Sequence, residues 1–239
     1  MEKSIVSFAA IIGLVAIVLV LIMQKPELNV PTISVSGTSE LTVSPDKAEL
    51  YLTILTEGTT ADVTQANNSK LSDAVIAALQ SAGIAKKDIE TSNYYLAKRQ
   101  EWDNKEEKMV DKGYMLTHTL KVTTIDIENV GKYVDTAITA GANGVERIEF
   151  GLTKETEKTV KANALALATV AAKEKAASIA KTAGVTLGKI TSITESNFYY
   201  TPYSVNAGGN YAKDMMAESI IPPQKVDVTT SITLAYELK

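Results

Sequence analysis

His118 is the only histidine in the chain, so any chemistry that needs an imidazole has to use it. Its neighbours alternate between apolar and polar types, which predicts that it lies on a β-strand. A Ser-His-Asp triad could be built on it with any serine, so the residue alone says little about catalysis. Zinc sites draw on several His or Cys ligands, and the chain has no cysteine. We therefore interpret His118 as a structural histidine.

Two Ser-x-x-Lys spacings, Ser44 with Lys47 and Ser178 with Lys181, offer a second kind of chemistry. Penicillin-recognising enzymes use this spacing because it sets a serine and a lysine one helical turn apart. Ser44, however, precedes a proline turn, and no Ser-Asp-Asn motif accompanies either pair. Both pairs are interpreted as surface residues. A hydrolase using Ser/Lys or carboxylates is the alternative function.

A cluster of carboxylates lies within residues 98–112, a stretch in which ten of fifteen residues are charged. Carboxylate oxygens suit Ca²⁺, but five basic residues interleave with the acidic ones and EF-hand spacing is absent. The stretch therefore predicts a solvated connection between two strands, without a metal site. The five carboxylates belong to Glu101, Asp103, Glu106, Glu107 and Asp111.

The segment 199–224 is rich in tyrosine and contains Gly208-Gly209. Tyrosine combines a rigid contact area with a polar tip, so such loops can bind carbohydrate or a protein partner. The alternative is a loop packed on its own domain or on a neighbouring subunit. Its tyrosines are Tyr199, Tyr200, Tyr203 and Tyr211. No catalytic, cofactor-binding or metal-binding residue and no cofactor is predicted anywhere in the chain.

Hydrophobic periodicity predicts the elements that hold these residues. Between residues 47 and 152 it indicates strand, helix, strand, strand, helix, strand, with helices over 60–82 and 126–141. This is the ferredoxin-like order, in which two helices cover one face of an antiparallel sheet. Asp126 is the expected N-cap of the second helix. The fold class is therefore α+β.

Further elements extend this core on both sides. A strand over residues 33–43 precedes it, with Gly37 as an expected bulge or bend. A long alanine-rich helix over 155–183 and C-terminal strands follow it. Self-association contacts are expected at this helix and at the last strand, residues 226–238, which would offer an open edge. The helix stripe comprises Val160, Ala164, Leu167, Ala168, Ala171, Ala172 and Ile179. Three glycines that end helices, Gly83, Gly141 and Gly184, should have positive φ.

The N-terminus predicts a membrane anchor. Residues 5–23 carry no charge and, as a helix, would roughly match the ~30 Å hydrocarbon core of a bilayer. No small-residue cleavage pattern follows the run, so residues 1–25 are expected to be an uncleaved transmembrane signal anchor. Residues 26–31 would be a linker and residues 32–239 one extracytoplasmic domain. The expected location is the cell membrane, with a single pass.

Composition limits the function classes. The net charge of −4 argues against a nucleic-acid partner, which would require a basic face. The absence of cysteine excludes a disulfide framework and thiol chemistry. A stable core of ordinary apolar side chains must therefore hold the domain together.

Several segments, in order along residues 32–239, resemble the SIMPL-domain family, also called DUF541. The similarity is carried by Ile33-Ser34-Val35-Ser36-Gly37, Val43-Ser44-Pro45-Asp46-Lys47-Ala48, Leu79-Gln80-Ser81-Ala82-Gly83-Ile84, Ala172-Lys173-Glu174-Lys175-Ala176 and Ala183-Gly184-Val185-Thr186-Leu187-Gly188-Lys189-Ile190. One departure is Pro222-Pro223, where the family often has a Pro-Gly turn.

This resemblance implies an α+β envelope domain that tends to self-assemble and has no established catalytic site. The chain is accordingly predicted to act without catalysis, as a membrane-tethered homo-oligomer or by binding an unidentified protein or carbohydrate partner.

Overall fold

The structure is a computed structural model that describes residues 30–196, 198–206 and 221–239. Within these ranges the protein is α+β, with three α-helices and two antiparallel sheets. The predicted transmembrane segment, residues 1–25, lies outside the described residues, as does most of the linker. In the described part of the chain, no helix has the length and hydropathy needed to cross a bilayer.

The elements follow one another in a simple order. The helices are α1 (Ala61–Ser81), α2 (Val130–Ala140) and α3 (Lys154–Ala183). The strands are β1 (Thr32–Val43), β2 (Lys47–Gly58), β3 (Ile89–Asp103), β4 (Lys108–Thr124), β5 (Gly144–Gly151), β6 (Leu187–Glu195), β7 (Tyr199–Tyr200), β8 (Tyr203–Asn206) and β9 (Val226–Leu238). Short 3-10 turns precede β3 and α2, at Lys86–Asp88 and Ile127–Asn129.

The larger sheet has the strand order β3-β4-β2-β5-β8. Its central strand β2 alternates cleanly, and Leu50, Leu52 and Ile54 are fully buried. They pack under α1 and α2, which contribute Val75, Leu79 and Val134 to the same core. Thus the predicted order of strand, helix, strand, strand, helix, strand is present from β2 to β5. The sheet also gains β8, which pairs with β5.

The smaller sheet is formed by β1, β9 and β6, and β7 also pairs with β9. It is a sheet of its own, not an extension of the larger one. The helix α3 covers it with a narrow row of small side chains, one every fourth residue. These buried residues are Val160, Ala164, Ala168, Ala172, Ala176 and Ala180. Leu167 and Ile179, which were expected in this stripe, are 50% and 39% exposed.

Gly37 has a different role from the bulge predicted for it. The pairing of β1 with β9 is unbroken from Thr32 opposite Glu237 to Val43 opposite Val226. A Cβ atom on Gly37 would lie 2.2 Å from the carbonyl oxygen of Ala168. Gly37 is therefore needed because the backbone of α3 approaches the strand closely.

The last strand was expected to be an open edge, and this expectation is wrong. On one side β9 pairs with β1 from Val226 to Glu237; on the other it pairs with β7 at Val228 and Thr229 and with β6 from Ile232 to Leu238. Most of its backbone groups are therefore committed within the protein.

The charged stretch 98–112 is mostly strand, not connection. β3 continues to Asp103 and β4 begins at Lys108, so only residues 104–107 form the turn. The last pair between β2 and β4 is Gly58 with Tyr114. Residues 98–113 therefore project beyond the third strand as a two-stranded ribbon, which we call the β-arm.

The start of α2 also differs slightly from the expectation. Asp126 precedes the 3-10 turn and makes no side-chain cap. Its carboxylate instead accepts hydrogen bonds from Asn129 Nδ2 at 2.9 Å and from the Tyr133 hydroxyl at 2.8 Å. The α-helix proper begins at Val130.

Candidate functional site

The most chemically distinctive site is a buried polar cluster around His118. This residue lies on β4 and faces α1, as do the apolar residues two positions before and after it. Only 8% of its surface is exposed. Asn68 and Ser72, one turn apart on α1, lie against the ring and are also buried. The hydroxyl of Thr91 on β3 approaches from the solvent side, and the ring of Tyr94 packs edge-on at 5.2 Å.

The hydrogen bonds of this cluster define the tautomer of the imidazole. Asn68 Nδ2 donates to the carbonyl oxygen of Ile54 at 3.1 Å, so its Oδ1 must be the atom that faces His118. Oδ1 lies 3.0 Å from Nδ1 and can only accept, so Nδ1 carries the proton. The Nε2 lone pair then accepts from Thr91 Oγ1, also at 3.0 Å.

Ser72 is consequently not activated by the histidine. Its hydroxyl lies 3.0 Å from Nδ1, but that nitrogen already carries a proton. The hydroxyl instead donates to the carbonyl oxygen of Asn68 at 2.6 Å. A general base needs a free lone pair directed at the nucleophile, and this geometry does not provide one for Ser72.

Burial sets the charge of the ring. Removal from water disfavours the imidazolium and lowers the pKa of His118 below its ordinary value of 6.5. The ring is therefore neutral at pH 7, which agrees with a site in which every polar atom has a partner. The cluster is a closed hydrogen-bond network that ties β4 to α1 and β3.

Sequence reasoning placed His118 on its strand correctly but missed its partners. The signal was present in α1, where Thr64, Asn68 and Ser72 recur at intervals of four and continue into Val75 and Leu79. All five are buried. The apolar Ala74 of the same helix is exposed. Polar residues that share one face of a helix with apolar core residues therefore indicated a buried hydrogen-bond network.

The two Ser-x-x-Lys pairs do not form reactive sites. Lys47 Nζ bonds Glu49 Oε1 at 3.0 Å. Burial disfavours the charged form of Lys47, but the hydrogen bond and charge of Glu49 outweigh it and raise the lysine pKa. A lysine held protonated cannot act as a general base at neutral pH. Ser178 and Lys181 are exposed on α3.

The bonded carboxylates of the β-arm pair with groups of the same arm, and the arm's Arg99 also reaches a carboxylate of β2. Arg99 bridges Glu57 and Glu101, at 2.7 and 2.6 Å. Asp111 accepts from Lys98 at 2.8 Å and from Gln100 at 2.7 Å. Across residues 30–196, 198–206 and 221–239, no three His, Cys, Asp or Glu side chains are grouped so that they could hold a metal ion.

The tyrosine segment is partly built into the fold. Tyr203 stacks on Phe150 at 6.3 Å, and Tyr200 packs beside Phe198. Tyr199 is 68% exposed. Tyr211 and Gly208-Gly209 lie outside the described residues. The described tyrosines therefore favour the alternative in which this segment packs on its own domain.

Two open grooves flank α1. One, of about 410 Å³, lies between α1 and α2 and is lined by Ala78, Lys132, Asp135, Thr136, Thr139 and Ala140. The other, of similar volume, is lined by Thr56, Glu57, Asn67, Lys70 and Leu71. Neither groove is lined by His118 or Thr91, so neither would bring a small molecule to the imidazole.

The chain is similar to known proteins along most of its length. The SIMPL family, described as a protein of unknown function (DUF541), matches residues 33–236. The 26 kDa periplasmic immunogenic protein of Brucella melitensis is 28% identical over 223 residues, which cover 87% of this chain and 84% of that protein.

Enterobacterial relatives show a similar level of identity. The protein YggE of Edwardsiella ictaluri is 29% identical over 174 residues, 72% of each chain. YggE of Escherichia coli K12 is 27% identical over 153 residues, 64% of this chain and 60% of that protein. Since the family match spans both sheets and all three described helices, this chain belongs to the SIMPL (DUF541) family.

Proposed function

We propose that this protein is a membrane-tethered SIMPL domain on the extracytoplasmic side of the cell. It would act without catalysis, through self-assembly or by binding a partner in the cell envelope. The observation that carries the proposal is the β-arm. A two-stranded ribbon without a third strand or a covering helix adds little to the stability of a domain, so a contact outside the domain is the role that its geometry favours.

The location rests on two independent observations. The Brucella relatives are periplasmic by name and similar along most of the chain. The uncharged run in residues 5–23 of this chain is long enough to serve as an anchor. Together they favour a domain held at the membrane and exposed outside the cytoplasm.

The absence of catalysis is supported by the state of the polar groups. The neutral imidazole accepts from Thr91 and donates to Asn68, and Lys47 is held protonated by Glu49. A hydrolase based on Ser/Lys or carboxylates is therefore the less well supported alternative. A binding role also fits the two open grooves beside α1.

Cross-linking of the full-length chain in intact cells tests the proposal. Lysines on the β-arm, including Lys98, Lys105 and Lys108, offer reactive amines. We expect covalent multimers of the chain or defined adducts with envelope proteins. A chain that stays monomeric and free of adducts at its natural abundance would refute a binding role.

A further inference from the structure

The β-arm has the geometry of a contact element. Beyond the Gly58–Tyr114 pair, its two strands continue through Gln100 opposite Asp111 to Asp103 opposite Lys108. At ~3.4 Å per residue the ribbon projects by roughly 20 Å. It leaves the larger sheet at the end of β2 that is far from β1, since β1 joins the start of β2 through residues 44–46.

The arm exposes an apolar pair just behind its turn. Trp102 and Met109 are directly opposite each other on the two strands. Their side chains therefore lie on one face of the ribbon, and they are 57% and 53% exposed. Trp102 is the only tryptophan of the chain. Tryptophan is one of the residue types enriched among the energetic centres of protein interfaces.

We propose that the β-arm is the surface through which two copies of this chain associate, with Trp102 of each copy packed on Met109 of the other. This inference rests on the proposed function, because it specifies the surface used for self-assembly. A two-fold axis between the arms would make the contact isologous, so the same two residues of each copy would form both halves of the contact. Sulfur on an aromatic ring is a favourable contact.

Charge favours a second copy as the occupant. The chain as a whole carries a net charge of −4, so most surfaces of two copies repel each other. Residues 98–112 carry five basic and five acidic side chains and are therefore neutral. A lipid surface is less suitable, because residues 103–108 at the tip of the arm carry three carboxylates against two lysines and so have no net positive charge to hold them at the head groups.

The size of the contact predicts that it is weak in solution. Trp102 and Met109 together expose on the order of 250 Å² in each copy, well below the ~1,200 Å² in total of a stable interface. Copies tethered to one membrane are confined to two dimensions, which raises their effective concentration without any new contact. Association through the arm should therefore depend on the surface density of the chain.

The single tryptophan provides the test. The full-length chain is reconstituted in vesicles of neutral lipid at increasing protein-to-lipid ratios, and its fluorescence and cross-linked fraction are measured together. We expect the emission of Trp102 to move to shorter wavelength as density rises, because the ring leaves water. Met109→Lys should abolish this movement and reduce the cross-linked fraction about tenfold, the effect of losing one interface centre.

Matched variants keep the result interpretable. Ile193, 63% exposed on β6, is a control: Ile193→Lys should leave both readouts unchanged. If Met109→Lys lowers the melting temperature, Trp102→Ala followed by cross-linking alone replaces it.

Cross-linked multimers without an emission change would overturn the arm contact but leave self-assembly standing. No multimers at any density would overturn both. An emission shift complete at the lowest density would mean docking on lipid, and would also overturn the inference.

Discussion

The imidazole of His118 is held by Asn68 on one nitrogen and by Thr91 on the other. Buried polar groups are tolerated in a core only when their hydrogen bonds are satisfied, because an unpaired group loses its water without compensation. In this cluster the buried polar residues of α1 supply one partner and Thr91 of β3 supplies the other. At the scale of single residues, His118 thus links a helix to two strands through hydrogen bonds instead of apolar contact.

The protonation of His118 predicts a pH dependence of stability. Its pKa is lowered in the folded state, so the unfolded chain binds a proton more readily. The free energy of unfolding should be at its full value above about pH 6.5, the ordinary pKa. It should fall as the pH decreases from there towards the lowered folded-state pKa. Urea unfolding between pH 5 and pH 7.5 measures this slope.

The control for this prediction is His118→Asn. The chain has no other histidine, so the variant should be less stable but show no slope between pH 5.5 and 6.5. Equal unfolding free energies of the wild-type chain at pH 5.5 and 7.5 would contradict the lowered pKa.

At the scale of elements, α3 and β1 show how small residues determine a packing distance. The helix buries one alanine per turn, and Gly37 faces the Ala168–Ala172 turn. Because both surfaces lack bulk, the helix backbone comes close to the strand. The alanine-rich composition was visible in the sequence, whereas its partner glycine was interpreted as a bend.

Gly37→Ala should therefore destabilise the protein. The added Cβ would lie 2.2 Å from Ala168 O and 2.4 Å from Ala172 N, both backbone atoms that cannot rotate away. Overpacking of this kind lowers the free energy of unfolding by ~1–3 kcal/mol. Gly144→Ala is the matched control, since its Cβ would sit 3.4 Å from a Thr53 side chain. Similar urea midpoints for both variants would show that α3 can move away from β1.

The glycines that end helices permit a graded test. Positive φ was predicted for Gly83, Gly141 and Gly184, and it is confirmed, with φ of 112°, 125° and 71°. Valine at Gly184 should lower the free energy of unfolding by ~1 kcal/mol or more, because a β-branched residue is disfavoured there. Valine at Gly141 should cost more, because its φ of 125° lies well outside the left-handed α region near which Gly184 sits.

Thermal unfolding of the three valine variants measures these differences. Gly83, at φ 112°, should behave like Gly141, since both lie outside the left-handed α region near which Gly184 sits. A Gly141 variant no less stable than the Gly184 variant would mean that the backbone at residue 141 shifts to a less strained φ without penalty.

At the scale of the whole molecule, two sheets with separate cores meet at one junction. The junction contains its own apolar cluster of Leu152, Val160, Val226 and Val228. Asp46, between β1 and β2, accepts hydrogen bonds from Thr153 N and Thr156 Oγ1 at 2.7 and 2.5 Å. A single carboxylate therefore fixes the start of α3 to the crossing between the sheets.

The proposed tether makes a prediction about the intact protein. The chain extracted from membranes should retain residues 1–25, because no small-residue cleavage pattern follows the apolar run. Mass spectrometry of the N-terminal peptide measures this directly. An N-terminus between residues 25 and 32 would identify a cleaved signal and remove the tether from the proposed function.

Local patterns were enough to predict much of this fold. Alternation in β2 and the helical stripe ending at Gly83 depend on neighbours within a few residues, so they can be read from the chain. The turn at residues 44–46 and the positive φ of the helix-ending glycines are equally local. The α+β class and the order of elements from β2 to β5 follow from these patterns.

Long-range pairing could not be predicted in the same way. Whether β9 lies at an edge or in the centre of its sheet depends on β1, about 200 residues away along the chain. Apolar and polar residues can alternate in an edge strand and in a central strand alike, so the alternation in β9 does not distinguish the two positions. The charged residues of the β-arm pair with one another across two strands, so their polarity suggested a loop where the structure has a ribbon.

The sequence alone determined the composition of this site, and the tertiary structure determined its chemistry. The residues themselves show one histidine, no cysteine and, on α1, polar residues spaced four apart. Which nitrogen of His118 carries the proton depends on Asn68, whose orientation is in turn set by the carbonyl of Ile54 on β2. Hydrogen-bond direction depends on atoms that are close in space but distant along the chain, and only the folded structure brings those atoms together.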